Sequence, residues 1–351
     1  MKVIITVCED LGRDNGTTVR ARRVRKALGG QGSIVLAGRA DRSVDGIIAV
    51  ERPGSRLWNL RLAKVLWEEQ PDRVYCASDF FGFLTAYPLT RLNGARLIFE
   101  AHGILSKEYW AGRPHSLKVR AITMFYRMLE RFVASRADCF VALSEDIARF
   151  YAPFREELST IPVFVDDELF STAASPTPHD GLVVGIIGPF HRENINNTFL
   201  DFVHDSIPRL DPRIRFKVIG LCDDELRFEH PRVEFTGYLD SQAGYVSALA
   251  SIDAVVVPSR APSFGALNKI LEPMSMGKPV LTTPVGLVGI DGAGDENIIV
   301  ADEALLPARL NELLLDRQRF EAIGHGGRKL VMERYAASVN RLRLNSLVEG
   351  T

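Results

Sequence analysis

Short apolar runs alternate with longer amphipathic stretches along the whole chain. In the first half the apolar runs are Val3–Val7, Ser33–Leu36, Gly46–Val50, Arg73–Cys76, Arg96–Glu100, Cys139–Ala142 and Leu158–Ile161. Between them, Thr17–Leu28, Trp58–Glu69, His115–Ala134 and Glu145–Tyr151 carry apolar residues at helical spacing. The second half restarts the pattern with Leu182–Ile187, Phe216–Ile219, Val233–Phe235, Ala254–Val257, Val280–Thr282 and Ile298–Val300. Near-continuous branched runs such as Val255–Val257 suit strands covered on both faces, and their alternation with helices predicts parallel α/β sheets. A Ser/Thr/Ala/Pro run, Ser171–Pro178, interrupts the pattern and predicts a linker. The expected organisation is a first domain over 1–170, a linker over 171–180, a second domain over 181–326 and a terminal helix over 327–351 with no strand after it.

At 351 residues the chain exceeds one ordinary core, which agrees with two domains. Hydrophobic content of 46% and charged content of 25% are those of a soluble globular protein. A net charge of −1 argues against a general nucleic-acid binder, so none is expected as a partner. No apolar run approaches the ~18 residues that span a bilayer, and Met1–Val7 is too short for a signal peptide and reads as a first strand. Cys8, Cys76, Cys139 and Cys222 are widely separated without CxxC spacing, which predicts buried free thiols in a reducing cytoplasm.

The densest chemistry lies between Val255 and Thr283. A buried strand leads through Pro258-Ser259 to Phe264-Gly265, a predicted helix runs from there to Glu272, and Gly277-Lys278-Pro279 leads into the next strand. Gly265 lets a ligand approach the backbone, and a helix start offers N–H groups and a positive dipole end to a diphosphate. Glu272 lies seven residues on, nearly the same face and ~10 Å along such a helix, which suits a carboxylate reaching ribose hydroxyls. Phe264, Gly265, Ala266, Leu267 and Asn268 then form the phosphate-facing turn, while Lys269 either adds charge near the diphosphate or pairs with Glu272. The plainer alternative is a surface glutamate paired at helical spacing, worth a few tenths of a kcal/mol.

This segment resembles the donor-binding segment of glycosyltransferase family 4, whose members have the GT-B fold of two facing Rossmann-like domains. The family pattern has two glutamates eight positions apart, a small-residue helix and then G-x-P-V. Glu272, Met274, Gly277, Pro279 and Val280 match its second half, while Phe264 stands where the first glutamate belongs. Asn268-Lys269 before Glu272 resembles one subgroup of the family. Ile161–Phe170 is similar to the family's IPNGVD…F segment, and the resemblance implies that the last helix crosses back to the first domain.

Three further places follow from the resemblance. At Gly188-Pro189-Phe190-His191-Arg192, Arg192 takes the position of the family's diphosphate-binding Arg, and with no Lys following it Lys269 stands in as the second cation. His102, just past the strand Arg96–Glu100, is where the family places a His near the reaction centre; carboxyl ends of strands are also where ligands bind in doubly wound sheets. Gly16, in the loop Gly12–Thr18, resembles the family's glycine-rich turn, with Thr17 as the expected helix start. Catalytic roles are therefore expected of His102, Arg192 and Lys269, and donor contacts of Gly16, Gly188, Arg192, Phe264–Asn268 and Glu272, with no metal ligand and no cofactor.

Two basic stretches complete the picture. Arg20, Arg22, Arg23, Arg25 and Lys26 fall on the first helix, and Lys118, Arg120 and Arg127 accompany the stripe Leu117, Ala121, Phe125, Met128 and Phe132. Both read as ordinary amphipathic helices or as contacts with an anionic membrane. The expectation is a cytoplasmic, peripherally membrane-bound, retaining and metal-independent transferase, taking sugar from a nucleotide diphosphate-sugar to an envelope, capsule or exopolysaccharide glycan, lipid-linked or free. A nucleotide-sugar epimerase, a sugar phosphorylase and a catalytically silent sugar-nucleotide-binding subunit are the alternatives.

Overall fold

The computed structural model describes the chain except residues 13, 14, 30, 31, 45, 52–56, 112, 115, 171–180, 192–197, 240, 261–264 and 351 and the side chain of residue 317. The chain divides into two units, Met1–Phe164 with Ala337–Thr351, and Val165–Ala336.

The first unit holds a seven-stranded parallel sheet of β1 (Lys2–Asp10), β2 (Ser33–Arg39), β3 (Ile47–Glu51), β4 (Arg73–Ala77), β5 (Arg96–Ala101), β6 (Cys139–Ala142) and β7 (Ser159–Thr160), in the order 3-2-1-4-5-6-7. The order reverses between β1 and β4, the Rossmann-type switch point. The helices are α1 (Gly16–Leu28), α2 (Trp58–Glu69), α3 (Phe80–Asn93), α4 (Leu105–Trp110), α5 (Leu117–Arg136) and α6 (Glu145–Tyr151). α1 begins one residue before the expected Thr17 because Asn15 caps it: Asn15 Oδ1 accepts from Thr18 N at 2.9 Å and Thr18 Oγ1 accepts from Asn15 N at 3.0 Å.

α3 carries Pro88 in its interior and starts at Asp79, whose Oδ1 accepts from Gly82 N at 2.7 Å. Burial raises the Asp79 pKa from 3.8 to about 6, against the lowering effect of the Gly82 N–H. The native state thus holds this proton more tightly than the unfolded chain. Its contribution to stability is present below pH ~4 and is lost as the pH climbs through ~6, on the order of 3 kcal/mol for two pKa units. Asp79→Asn keeps an acceptor for Gly82 N and should grow more stable relative to wild type over that window. Denaturant unfolding at pH 4 and pH 7 checks this, and an Asn variant that tracks wild type at both would remove the assignment.

The second unit has a six-stranded parallel sheet of β8 (Leu182–Ile187), β9 (Ile214–Ile219), β10 (Val233–Phe235), β11 (Ala254–Val257), β12 (Val280–Thr282) and β13 (Ile299–Val300), in the order 10-9-8-11-12-13. Its switch point falls between β8 and β11. Its helices are α7 (Thr198–Ser206), α8 (Gln242–Ala250), α9 (Asn268–Ser275), α10 (Leu306–Leu315) and α11 (Arg317–Leu330), and α12 (Ala337–Glu349) belongs to the first unit. There Leu344 and Val348 are fully buried with Val3, Ile5, Val24, Leu28 and Ile98.

Two boundaries differ from the expected ones. The first unit stops at Phe164 rather than 170, since Val165 N donates to Tyr335 O at 2.7 Å and Phe170 meets the Tyr245 ring edge-on at 6.3 Å. The terminal helix starts at Ala337 rather than 327, because Gly324, Gly326 and Gly327 lie inside α11. They let α11 approach the backbone of Gly277, Glu296 and Asn297, where a Cβ would collide. The expected linker over 171–180 lies outside the described residues.

Candidate active site

In the second unit the site is assembled at the carboxyl ends of β8, β11 and β12, around the switch point where doubly wound sheets bind ligands. Two threonines at the end of β12 tie it to the end of β11 and the loop after it. Thr282 Oγ1 donates to Val257 O at 2.8 Å and Thr283 Oγ1 donates to Ser259 O at 2.6 Å. Gly289, at φ +82, takes a backbone conformation that disfavours a side chain, and a Cβ there would sit 2.6 Å from Ala266 N. Leu267, before the helix, is extended at φ −84, ψ 125.

The helix therefore begins at Asn268 and not at Gly265, which corrects the expected two-turn spacing. Glu272 sits one turn in, ~6 Å along the axis from the first helical residue. Leu267 makes no side-chain cap, and the first turn of a helix has N–H groups without intrahelical acceptors. Glu272 is buried, and its Oε2 accepts from Tyr245 Oη on α8 at 2.8 Å. Tyr245 went unnoticed in the sequence, where nothing links α8 to α9.

Lys269, half-buried, donates from Nζ to Ile187 O at 3.3 Å at the end of β8, and its ammonium stands 5.0 Å from the Phe199 ring centroid. Burial lowers its pKa to about 8, with the Glu272 carboxylate opposing. Its proton is thus held near neutrality and easily lost above it. Gly188 follows β8, its backbone N donating to Ile219 O at 2.9 Å. Past it, His191 Nδ1 lies 3.0 Å from Asp223 Oδ1. Lys278 is a structural lysine: it donates to Ala250 O at 3.1 Å and Ile252 O at 2.8 Å, neutralising the carbonyl end of α8. Gly188, Gly265, Ala266, Leu267, Asn268, Lys269 and Glu272 therefore share one end of this sheet, while Arg192 and Phe264 lie outside the described residues.

In the first unit, His102 is part of a buried ionic network. Glu100, the penultimate residue of β5, is fully buried; Arg20 from α1 donates to it through Nε at 3.2 and 3.1 Å and through Nη2 at 2.6 Å. Tyr75 Oη on β4 donates to the same carboxylate at 2.6 Å, and His102 Nε2 lies 2.7 Å from Glu100 Oε1. Burial alone would raise the Glu100 pKa, but the Arg20 and His102 charges and hydrogen bonds outweigh it and hold the carboxyl well below its usual range. Arg20 is itself held by Pro162 O at 3.0 Å and by the Phe164 ring, 4.2 Å away. Gly103 follows; a Cβ there would collide with the Glu108 carboxylate, which lies over the turn. The pairing of Glu100 with Arg20, read only as part of a basic stretch, was not expected from the sequence, although an acid ending the run Leu97-Ile98-Phe99 signals a buried counter-ion. Gly16 opens α1 with nothing within 4 Å of where a Cβ would stand, so a side chain there would face open space.

The same network bears on α1, for which an ordinary amphipathic helix and a membrane contact were both open. Arg20 is buried, Arg22 donates to Leu11 O, Arg23 to Phe164 O at 3.0 Å and Arg25 to Ile34 O at 3.2 Å. These guanidiniums are engaged by a carboxylate and carbonyls of their own unit, while Lys26 is exposed.

Residues 3–158 match the family model described as a glycosyl transferase 4-like domain, and residues 181–316 match that of glycosyl transferases group 1. No curated protein matches the sequence. Among solved structures, sucrose-phosphate synthase from Thermosynechococcus elongatus is similar at 17% identity and a TM-score of 0.78, over 99% of this chain and 98% of that one. HepE from Anabaena, solved with UDP-glucose, matches at 16% identity and a TM-score of 0.76 over 100% of both chains. WaaG, a glycosyltransferase involved in lipopolysaccharide biosynthesis, matches at 13% identity and 0.69 over 99% and 100%. Such identities show the fold. With both units matched by glycosyltransferase models over well more than half of its length, the chain belongs to the GT-B glycosyltransferases and is an enzyme of that class.

Proposed function

We propose that this glycosyltransferase takes a sugar from a nucleotide diphosphate-sugar and adds it, with retention and without a metal ion, to an envelope, capsule or exopolysaccharide glycan, free or lipid-linked. The observation that carries the reading is Glu272: a buried carboxylate one turn into α9, oriented by Tyr245 and one turn from the Lys269 ammonium. Glu272 takes the ribose hydroxyls, the start of α9 with its positive dipole end and Lys269 take the diphosphate, and Arg192 supplies a second cation. HepE has been solved with UDP-glucose and with UDP and glucose, which supports a nucleotide-sugar donor on this fold. Among the described residues no group of three or more His, Cys, Asp or Glu is placed to hold a metal ion, and cations with helix N–H groups can neutralise a leaving diphosphate instead. Asn268-Lys269 before Glu272 supports membership of the subgroup in which Asn-Lys precedes the retained glutamate. His102 acts at the transfer step.

The test is calorimetric titration with UDP, GDP and ADP, followed by a transfer assay with the sugar-linked form of the best binder. Glu272→Ala removes a charged hydrogen-bonding group worth ~1.5–3 kcal/mol, so affinity should fall about tenfold or more. Affinity for wild type should also fall as the pH rises through about 8, where Lys269 loses its proton. Transfer should continue in chelator. Unchanged affinity in the variant would end the ribose assignment, and transfer that stops in chelator and returns with magnesium would end the metal-free reading.

A further inference from the structure

The solvent face of α5 is apolar where it should be polar. Its buried residues are Val119, Leu129, Glu130, Val133 and Ala134. Leu117 is 84% exposed, Met124 66%, Phe125 51% and Met128 64%, and Ala121 is exposed with them. At ~100° per residue these five positions fall within one sector about 100° wide, pointing away from the buried face. The stripe runs about 17 Å along the helix. Scattered exposed apolar side chains are ordinary, but a contiguous row of large ones marks a contact surface.

The charges beside the row are all of one sign. Lys118 stands on one flank, and Arg120, Arg127 and Arg131 stand on the other; all four are exposed. The acid of α5, Glu130, is buried, with Oε1 accepting from Ser106 N at 3.0 Å, so no carboxylate of this helix faces the row. An apolar row between two basic edges matches the boundary of an anionic bilayer. Acyl chains take the methionines, leucine and phenylalanine, and headgroup phosphates take the lysine and arginines. A second copy of the chain packed on the same row by a two-fold would set these arginines against one another, which is unfavourable.

We propose that α5 docks the enzyme on an anionic membrane surface, lying in the interface plane with Leu117, Met124, Phe125 and Met128 inserted. Among the described residues no helix is long and apolar enough to cross a membrane, so contact of this kind is peripheral. The proposal stands apart from the donor site and is tested without donor or acceptor.

The experiment is co-sedimentation with phosphatidylcholine vesicles, with and without phosphatidylglycerol, over a range of salt. Wild type should pellet with phosphatidylglycerol, less so as salt rises, and remain in solution with phosphatidylcholine alone. Arg120→Gln and Arg127→Gln should each lower the partition coefficient about fivefold. Met124→Glu with Phe125→Glu should abolish pelleting while the circular dichroism spectrum and nucleotide affinity stay those of wild type; both sites are exposed, so folding should be indifferent to them. Equal pelleting with both vesicle types overturns the proposal. So does binding that survives the Met124/Phe125 change, or a dimer at micromolar concentration that this change converts to monomer.

Discussion

Replacing His102 by alanine is expected to lower turnover ~10²-fold or more, the usual scale for a positioned proton-handling group. Nucleotide affinity should barely move, because the ribose and diphosphate contacts proposed here lie in the second unit. The geometry makes the histidine a positioned one. Its Nε2 lies 2.7 Å from Glu100 Oε1, and that carboxylate is fixed in turn by Arg20 and Tyr75. Since Glu100 stays ionised far below neutrality, the ring nitrogen facing it carries a proton and the other is left to act. Glu100→Gln should therefore change the pH profile of turnover as well as its height. Rates measured at saturating donor decide the matter, and an alanine variant with wild-type turnover would reduce His102 to a packed turn residue.

The second large effect is on stability. Arg20→Ala leaves the Glu100 carboxylate buried without its main counter-charge, and breaking such a pair typically costs about 3–5 kcal/mol. In wild type the sign is simple: Glu100 has a depressed pKa, so its contribution is present above the ordinary carboxylate range and is lost only as the pH falls through the depressed value. In the variant, burial dominates and pushes the carboxyl up. The penalty should then shrink on acidification toward pH 5, as Glu100 takes up a proton. Arg20→Met combined with Glu100→Leu removes both charges and should recover a substantial part of the loss. Denaturant unfolding of the three variants checks this, and a double variant as unstable as Arg20→Ala would show that packing against Phe164, not charge, is what Arg20 supplies.

Strands were legible because a parallel strand buried on both faces must be almost wholly apolar; Cys139–Ala142, Leu182–Ile187 and Ala254–Val257 lie where their composition puts them. Helix starts were less so. Whether α9 begins at Gly265 or Asn268 turns on the extended backbone of Leu267, beside the place where Gly289 from a distant loop comes close to Ala266. The terminal helix was expected from 327, and only tertiary contact shows why Gly324, Gly326 and Gly327 lie inside α11, although glycine in a helix costs ~1 kcal/mol. Charged helices misled for a related reason. A local pattern says that α1 is basic, but the acceptors of its arginines are a carboxylate and carbonyls of Leu11, Ile34, Pro162 and Phe164, remote in sequence or on other elements. In the site itself the glycines, Lys269 and Glu272 were visible as a run, whereas Tyr245 and Glu100 acquire meaning only when neighbouring elements meet.

The return of α12 to the first unit bears on how this chain is made. The ribosome releases β1 to β7 early, yet α1 and the sheet beside it stay uncovered until Leu344 and Val348 arrive. The second unit is one continuous stretch and can close its own core as soon as it emerges. At roughly 5–20 residues per second, the first unit waits on the order of ten to forty seconds for its last helix. Through that interval a sheet rich in valine and isoleucine has an open flank, so this half of the protein is exposed to wrong association for longer than the other.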